Sequence, residues 1–176
     1  MVRPTFLGST SGMADFIAPK YSLLEIERRW LVNRQAIGSL DPSTARCIED
    51  LYIAGSQLRL RKMTSADGNI IYKLGKKYGA TDSSGEPVTN LYLTAAEHAI
   101  FDSLPGDRAS KVRYLISDGA LDVYEFPRTG FTVFEREFNN ELAALRYLPP
   151  SFVVEEITQQ PEYSGAALAA VELRTS

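Results

Sequence analysis

Cysteine, histidine and tryptophan each occur once in the 176 residues, as Cys47, His98 and Trp30. A single cysteine cannot form an intrachain disulfide, so a scaffold built on disulfides is excluded. Cys47 is expected to be a small buried or half-buried hydrophobe, because only His98 could serve a thiol as its base. His98 falls in a predicted helix with nothing nearby to orient it as a base, so it reads as a surface or packing residue. One histidine also rules out His-rich metal sites. Any metal would have to be a hard cation held by carboxylates, which favours Mg2+ or Mn2+ over Zn2+. No apolar run approaches a membrane span, and the N-terminus lacks the charged-then-apolar order of a secretory signal. A cytoplasmic protein without a membrane partner is expected. Charge of one sign is scarce too. The formal net charge is −3, which argues against a nucleic-acid partner.

Hydrophobic residues make up 44 % of the chain, enough for one globular core. Residues 1–20, with Gly8, Ser9, Thr10, Ser11 and Gly12, read as a loose lead-in, and 21–176 as the domain. The domain is organised around Leu24–Val32. Read as a strand, this stretch puts Leu24, Ile26, Trp30 and Val32 on one face, with Arg28 among them. Glu25, Glu27 and Arg29 line the other.

The pattern recurs. A short helix is expected over Arg34–Leu40 behind an Asn33 cap, then a strand over Cys47–Tyr52. Residues 57–62 alternate Gln57, Arg59 and Arg61 against Leu58 and Leu60. A turn at Ala66–Asn69 leads into a return strand with Lys73, Gly75 and Lys77 on one face. Residues 79–87 read as a loop and Val88–Leu93 as a strand. Thr94 and Glu97 form a capping box for a helix that runs to Leu104. Further strands follow at Lys111–Ile116, Leu121–Phe126, Phe131–Phe138 and Phe152–Thr158. A helix is expected at Glu141–Leu148, and the tail from Tyr163 to Arg174 reads as Ala-rich helix.

About eight strands joined by hairpin turns suggest an antiparallel sheet or barrel. The charged faces carry Arg29, Arg59, Arg61, Lys73, Lys77, Lys111 and Arg113, and Glu25, Glu27, Asp122, Glu135, Glu137 and Glu156. The opposite faces are apolar and can be covered by helices. A barrel wide enough for a lumen would thus be lined by charge and wrapped in apolar packing. Charges taken from water must be paired or hold a ligand. A polyanion with a divalent metal is the natural occupant, carboxylates on the metal and Arg and Lys on phosphate oxygens. Residues two apart on a strand project the same way, so both acids of a Glu-x-Glu can reach one ion.

These residues resemble the CYTH domains, or triphosphate tunnel metalloenzymes. The family's Glu-x-Glu-x-Lys opening is matched by Glu25-Ile26-Glu27-Arg28-Arg29, and its Arg-x-Arg by Arg59-Leu60-Arg61. Its Lys-x-Thr-x-Lys resembles Lys73-Leu74-Gly75-Lys76-Lys77, and its later Lys-x-Arg resembles Lys111-Val112-Arg113. A second Glu-x-Glu is similar to Glu135-Arg136-Glu137, and a closing Glu-Val-Thr to Glu156-Ile157-Thr158. The match runs from about Leu24 to about Ala170. Arg29 stands where Lys is usual and Gly75 where Thr is usual. No His-Phe-Glu opening of the class IV adenylyl cyclases is present.

The resemblance implies an α+β, mainly β fold: an eight-stranded antiparallel β-barrel tunnel with flanking helices. It implies Mg2+- or Mn2+-dependent hydrolysis of a small triphosphate, foremost inorganic tripolyphosphate, by a monomer or homodimer. Glu25, Glu27, Arg29 and Lys73 are the expected catalytic residues. Arg59, Arg61, Lys73, Lys77, Lys111 and Arg113 are expected to hold phosphates, and Glu25, Glu27, Asp122, Glu135, Glu137 and Glu156 the metal. A non-catalytic sensor for polyphosphate or a nucleoside triphosphate is the alternative, suggested by Arg29 and Gly75. A weaker alternative is an organic triphosphatase, for thiamine or nucleoside triphosphate, in which Trp30 would stack an organic group. Trp30 is better placed on the apolar face of its strand.

Overall fold

The computed structural model of the chain describes residues 18–79 and 85–170. The expectations for residues 1–17, for 80–84 of the loop and for the end of the tail helix fall outside them.

Alternating side chains make the first strand, β1 (Leu23–Val32). It is followed by β2 (Arg46–Ile53), β3 (Leu58–Ser65), β4 (Ile70–Lys77) and β5 (Glu86–Leu93). After α1 (Ala95–Asp102) come β6 (Gly106–Ile116), β7 (Gly119–Phe126), β8 (Thr132–Phe138), α2 (Glu141–Arg146), β9 (Val153–Glu156) and α3 (Gly165–Ala169). Every pairing is antiparallel. The sheet order is β5-β4-β3-β2-β6-β7-β8-β1, and β5 returns to β1, which closes an eight-stranded barrel. β1 makes the closure by dividing one edge between two partners. Its start, Leu23–Glu25, pairs with β5, and its end, Trp30–Val32, pairs with β9. Its other edge takes β8 from Ile26 to Leu31.

Three apolar clusters hold the barrel. On the outside, Leu51, Ile53, Leu60 and Leu74 gather Leu58, Leu93 and Phe101 of α1. α1 starts where its capping box dictates: Glu97 N donates to Thr94 Oγ1 (3.2 Å), and Thr94 N donates to Glu97 Oε2 (2.7 Å). On another outer face Trp30, Leu121 and Phe134 lie under Ile37, Tyr147, Phe152 and Val153. Arg28, which shares that face with Arg136 and Glu156, pins three elements. It donates to Glu156 Oε1 (2.9 Å) and to the carbonyls of Ala144 (2.8 Å) and Tyr147 (3.1 Å), with its guanidinium 4.9 Å from the Trp30 ring. The third cluster lies inside one end of the barrel: Tyr124, Val133, Ile157 and Leu168, with Leu31, Phe131 and Tyr163. The tail and α3 thus plug that end.

Several details differ from the sequence expectations. Over Arg34–Leu40 only a single turn of 3-10 helix forms, Arg34–Ala36, since Ile37 is already extended. A few residues cannot repay helix nucleation without a packed face. The tail, described to Ala170, is a 3-10 turn at Pro161–Tyr163 followed by α3. Cys47 is exposed, not buried, because it shares the outward register of β2 with exposed Glu49 rather than with the buried Asp50. Trp30 is 2 % exposed on the outer face, so it stacks nothing at the tunnel mouth. His98 packs on Tyr72, ring centroids 4.7 Å apart. No helix among the described residues is long and apolar enough to cross a membrane.

Candidate functional site

Residues that face each other across antiparallel strands share one side of the sheet, so the registers decide which charges meet in the lumen. Glu27 lies opposite Glu137 and Arg29 opposite Glu135, on β1 and β8. Arg61 lies opposite Asp50 and Lys73; Arg113 lies opposite Asp122. Glu25 faces Glu86. The cavity they enclose measures about 530 Å³ and is lined by Glu25, Glu27, Arg29, Arg59, Arg61, Lys77, Lys111, Arg113, Glu135 and Glu137, among others. That is the size of a small-ligand pocket.

Two acids inside the barrel are saturated by cations. Asp50, 5 % exposed, accepts from Arg61 Nε and Nη2, both at 2.7 Å, and its Oδ1 is 4.0 Å from Arg59 Nε. Burial pushes this carboxyl up, but the Arg61 guanidinium outweighs it and brings it down to about 2. Asp122, 0 % exposed, accepts from Arg113 Nε (2.6 Å) and Nη2 (2.7 Å) and from Lys111 Nζ. The sequence places Asp122 among the metal ligands; in the structure its oxygens are taken up by Lys111 and Arg113.

The remaining carboxylates are less completely paired. Glu25 contacts Lys77 Nζ at 2.5 Å, while Glu86 is at 3.2 Å and Glu27 at 3.9 Å from the same ammonium. Lys77, expected to bind phosphate, is thus held by three acids. Its pKa is raised, burial working against it and Glu27 and Glu25 outweighing that. Glu135 accepts from Arg29 Nε (3.0 Å) and from Arg113 Nη2. Burial raises the Glu135 carboxyl, yet Lys111, Arg113 and Arg29 hold it well below the usual range. Glu27 goes the other way. Burial, and then the charge of Glu135, push it up to about 7, against the pull of Lys77 and Arg29. Glu137 has no ion pair among the described residues and faces Glu27 directly. Glu156 is not brought to these acids: it lies on the outer face with Trp30, bound to Arg28 and to Thr158 Oγ1 (2.8 Å).

Among the cations, Arg29 is a strut rather than an open clamp. It is 8 % exposed and spans Glu135 and the Tyr163 carbonyl (Nη1, 2.7 Å), tying β1 to the plug. Arg59 and Lys73 are the open ones. Lys73 makes no ion pair among the described residues. Burial and then Arg61, Arg59 and Arg113 lower its pKa, with Glu137 in partial opposition. An ammonium crowded by three guanidinium groups calls for an anion.

Oxygen donors alone are available for a metal: Glu25, Glu27, Glu135 and Glu137. Among the described residues no three of them converge tightly enough to hold an ion as they stand. The fit is electrostatic. Glu27 holds a proton near neutrality at a point where two acids oppose each other, and a hard cation could take its place. Asp50, Glu86 and the phenols of Tyr52 and Tyr124 also face the cavity and were missed in the sequence.

No family profile and no curated protein matches the chain. Solved structures do. A crystal structure of the inorganic triphosphatase NE1496 superposes with a TM-score of 0.55 at 24 % identity, covering 85 % of this chain and 97 % of that one. A crystal structure of the hypothetical protein NE1496 gives 0.55 at 23 %, covering 84 % and 99 %. What is shared at such identities is the fold.

Proposed function

We propose that this chain is a metal-dependent triphosphatase of the CYTH type, acting on inorganic tripolyphosphate or a similar small triphosphate. The observation that carries the reading is the surplus of positive charge around Lys73, an ammonium opposite Arg61 in the β3–β4 register that feels three guanidinium groups and has no carboxylate ion pair among the described residues. A chain of phosphoryl groups carries the charge and the acceptors to satisfy them. The likeness of fold to a triphosphatase supports the same reading.

In this mechanism Arg59 and Lys73 grip the phosphate chain directly. Arg61, Lys111 and Arg113 reach it with the donors that Asp50 and Asp122 leave free, already oriented. Glu27 and Glu137, with Glu25 beside them, would hold Mg2+ or Mn2+; Glu135 would assist by keeping Arg29 and Arg113 in place. When bound, the cation supplies charge neutralisation and polarisation of the attacking water. The guanidinium groups stabilise the charge that spreads over the transferred phosphoryl oxygens.

The test is phosphate release from tripolyphosphate, ATP and thiamine triphosphate, with Mg2+, with Mn2+ and with a chelator. Chelator-sensitive release from tripolyphosphate is expected, and replacing Glu137 by Gln is expected to abolish it without lowering Tm. Binding without release from any of the three would favour the second reading, a polyphosphate or nucleotide sensor. That reading draws on the engagement of Arg29 in structural bonds and on the carboxylates' lack of tight convergence.

A further inference from the structure

One group inside the tunnel has no protein partner for its chemistry. Tyr124 is 2 % exposed. Its ring is built into the plug, against Val133, Ile157 and Leu168, with the Phe131 ring 5.9 Å away. Yet the residue also lines the cavity, so the ring stands in the plug while the phenol end meets the lumen. Its hydroxyl donates to no acceptor among the described residues and is not sealed off from the cavity, so it is open to a partner in the lumen. The acceptors nearest in charge are already engaged: both Asp122 oxygens by Lys111 and Arg113, and both Glu135 oxygens by Arg29 and Arg113. Lys111 Nζ lies 5.2 Å from the centre of the Tyr124 ring, so the hydroxyl belongs to the cationic wall of the tunnel.

We propose that Tyr124 is a ligand-binding residue at the plugged end of the tunnel, its hydroxyl donating a hydrogen bond to a phosphate oxygen that Lys111 also holds. The assignment rests on the proposed triphosphate-binding function and adds a neutral donor to its charged clamp. Burial, and then the charges of Glu135 and Asp122, raise the phenol's pKa, so it keeps its proton and can donate at every working pH. A neutral donor suits this wall. It adds a bond to the anion without the repulsion another cation would bring to Lys111 and Arg113. The same placement makes the plug part of the binding site, since moving Ile157 or Leu168 would move the ring that carries the hydroxyl.

The decisive variant is Tyr124→Phe, which removes the hydroxyl and keeps the packed ring. Its affinity for tripolyphosphate, by titration calorimetry in Mg2+ and again in chelator, is expected to fall about tenfold. KM is expected to rise by the same factor, with kcat within about twofold of the parent and Tm not lowered. Binding and KM equal to the parent's would remove Tyr124 from the site while leaving the triphosphate reading intact. A markedly lower Tm would show that the hydroxyl serves the fold, which also overturns the assignment. If the parent itself binds no tripolyphosphate in either condition, the functional reading fails, and this donor with it.

Discussion

Asp50 and Asp122 divide the tunnel's acids into two kinds. They are fully engaged by arginine and lysine, whereas Glu27 and Glu137 face each other with far less compensation. We expect Asp50→Asn to cost about 3 kcal/mol, because it leaves the buried Arg61 guanidinium without its counter-charge. Chemical denaturation measures that cost. Tripolyphosphate affinity is expected to fall with it, since Arg61 loses the edge-on grip that aims its remaining donors. A rise in affinity would instead mean that Asp50 acts only by repelling the anion. The pairing also has a sign with pH. A carboxyl lowered from 3.8 to about 2 adds stability above its ordinary range, and that stability is lost as pH falls through about 2. Asp50 was not legible in the sequence. β2 carries one acid on each face, Glu49 outward and Asp50 inward, and only the pairing with Arg61 decides between them.

At the scale of elements, the strands were legible because alternation and turn residues act locally. Arg59-x-Arg61, Lys73-x-x-x-Lys77 and Glu135-x-Glu137 fall on the faces their period-two spacing requires. The division of β1 between β5 and β9 was not, because Val88 and Glu156 lie far along the chain from the residues they meet. Gly75 shows the same limit. Alone it reads as a missing side chain in the lumen. In the β4–β5 ladder it faces Asn90, whose Oδ1 would lie 2.9 Å from a Cβ added at 75. The carboxamide of Asn90 therefore lies where a side chain at 75 would go. Asn90 is exposed and its side chain can swing away, while glycine is a poor strand residue. Gly75→Thr is therefore expected to raise stability by roughly 0.5–1 kcal/mol, read as an increase in Tm. If the same substitution lowers Tm in the parent but raises it in an Asn90→Ala background, then Asn90 cannot move, and it is a fixed part of the lumen.

For the whole molecule, the barrel turns a set of opposed charges into a demand for ligand, and Glu27 is where that demand can be read without one. Its carboxyl is raised from 4.5 to about 7, so the folded state holds a proton that the unfolded chain gives up earlier. The stability this confers is fully present below about 4.5 and is lost as pH rises through 7. The side chain is 27 % exposed, so water in the tunnel softens the effect, and a loss on the order of 2 kcal/mol is reasonable. Metal-free protein and Glu27→Gln should therefore melt alike near pH 5, and the variant should melt higher at pH 8. Subtracting the two curves removes the contribution of Asp50, whose window lies far below. Mg2+ added at pH 8 should raise the parent's Tm more than the variant's, because the ion then fills the place the proton has left. Equal melting of the two proteins across this range would mean that Glu27 is ionised in the folded chain like any surface acid, and that the opposed carboxylates of β1 and β8 exert no pull on a cation.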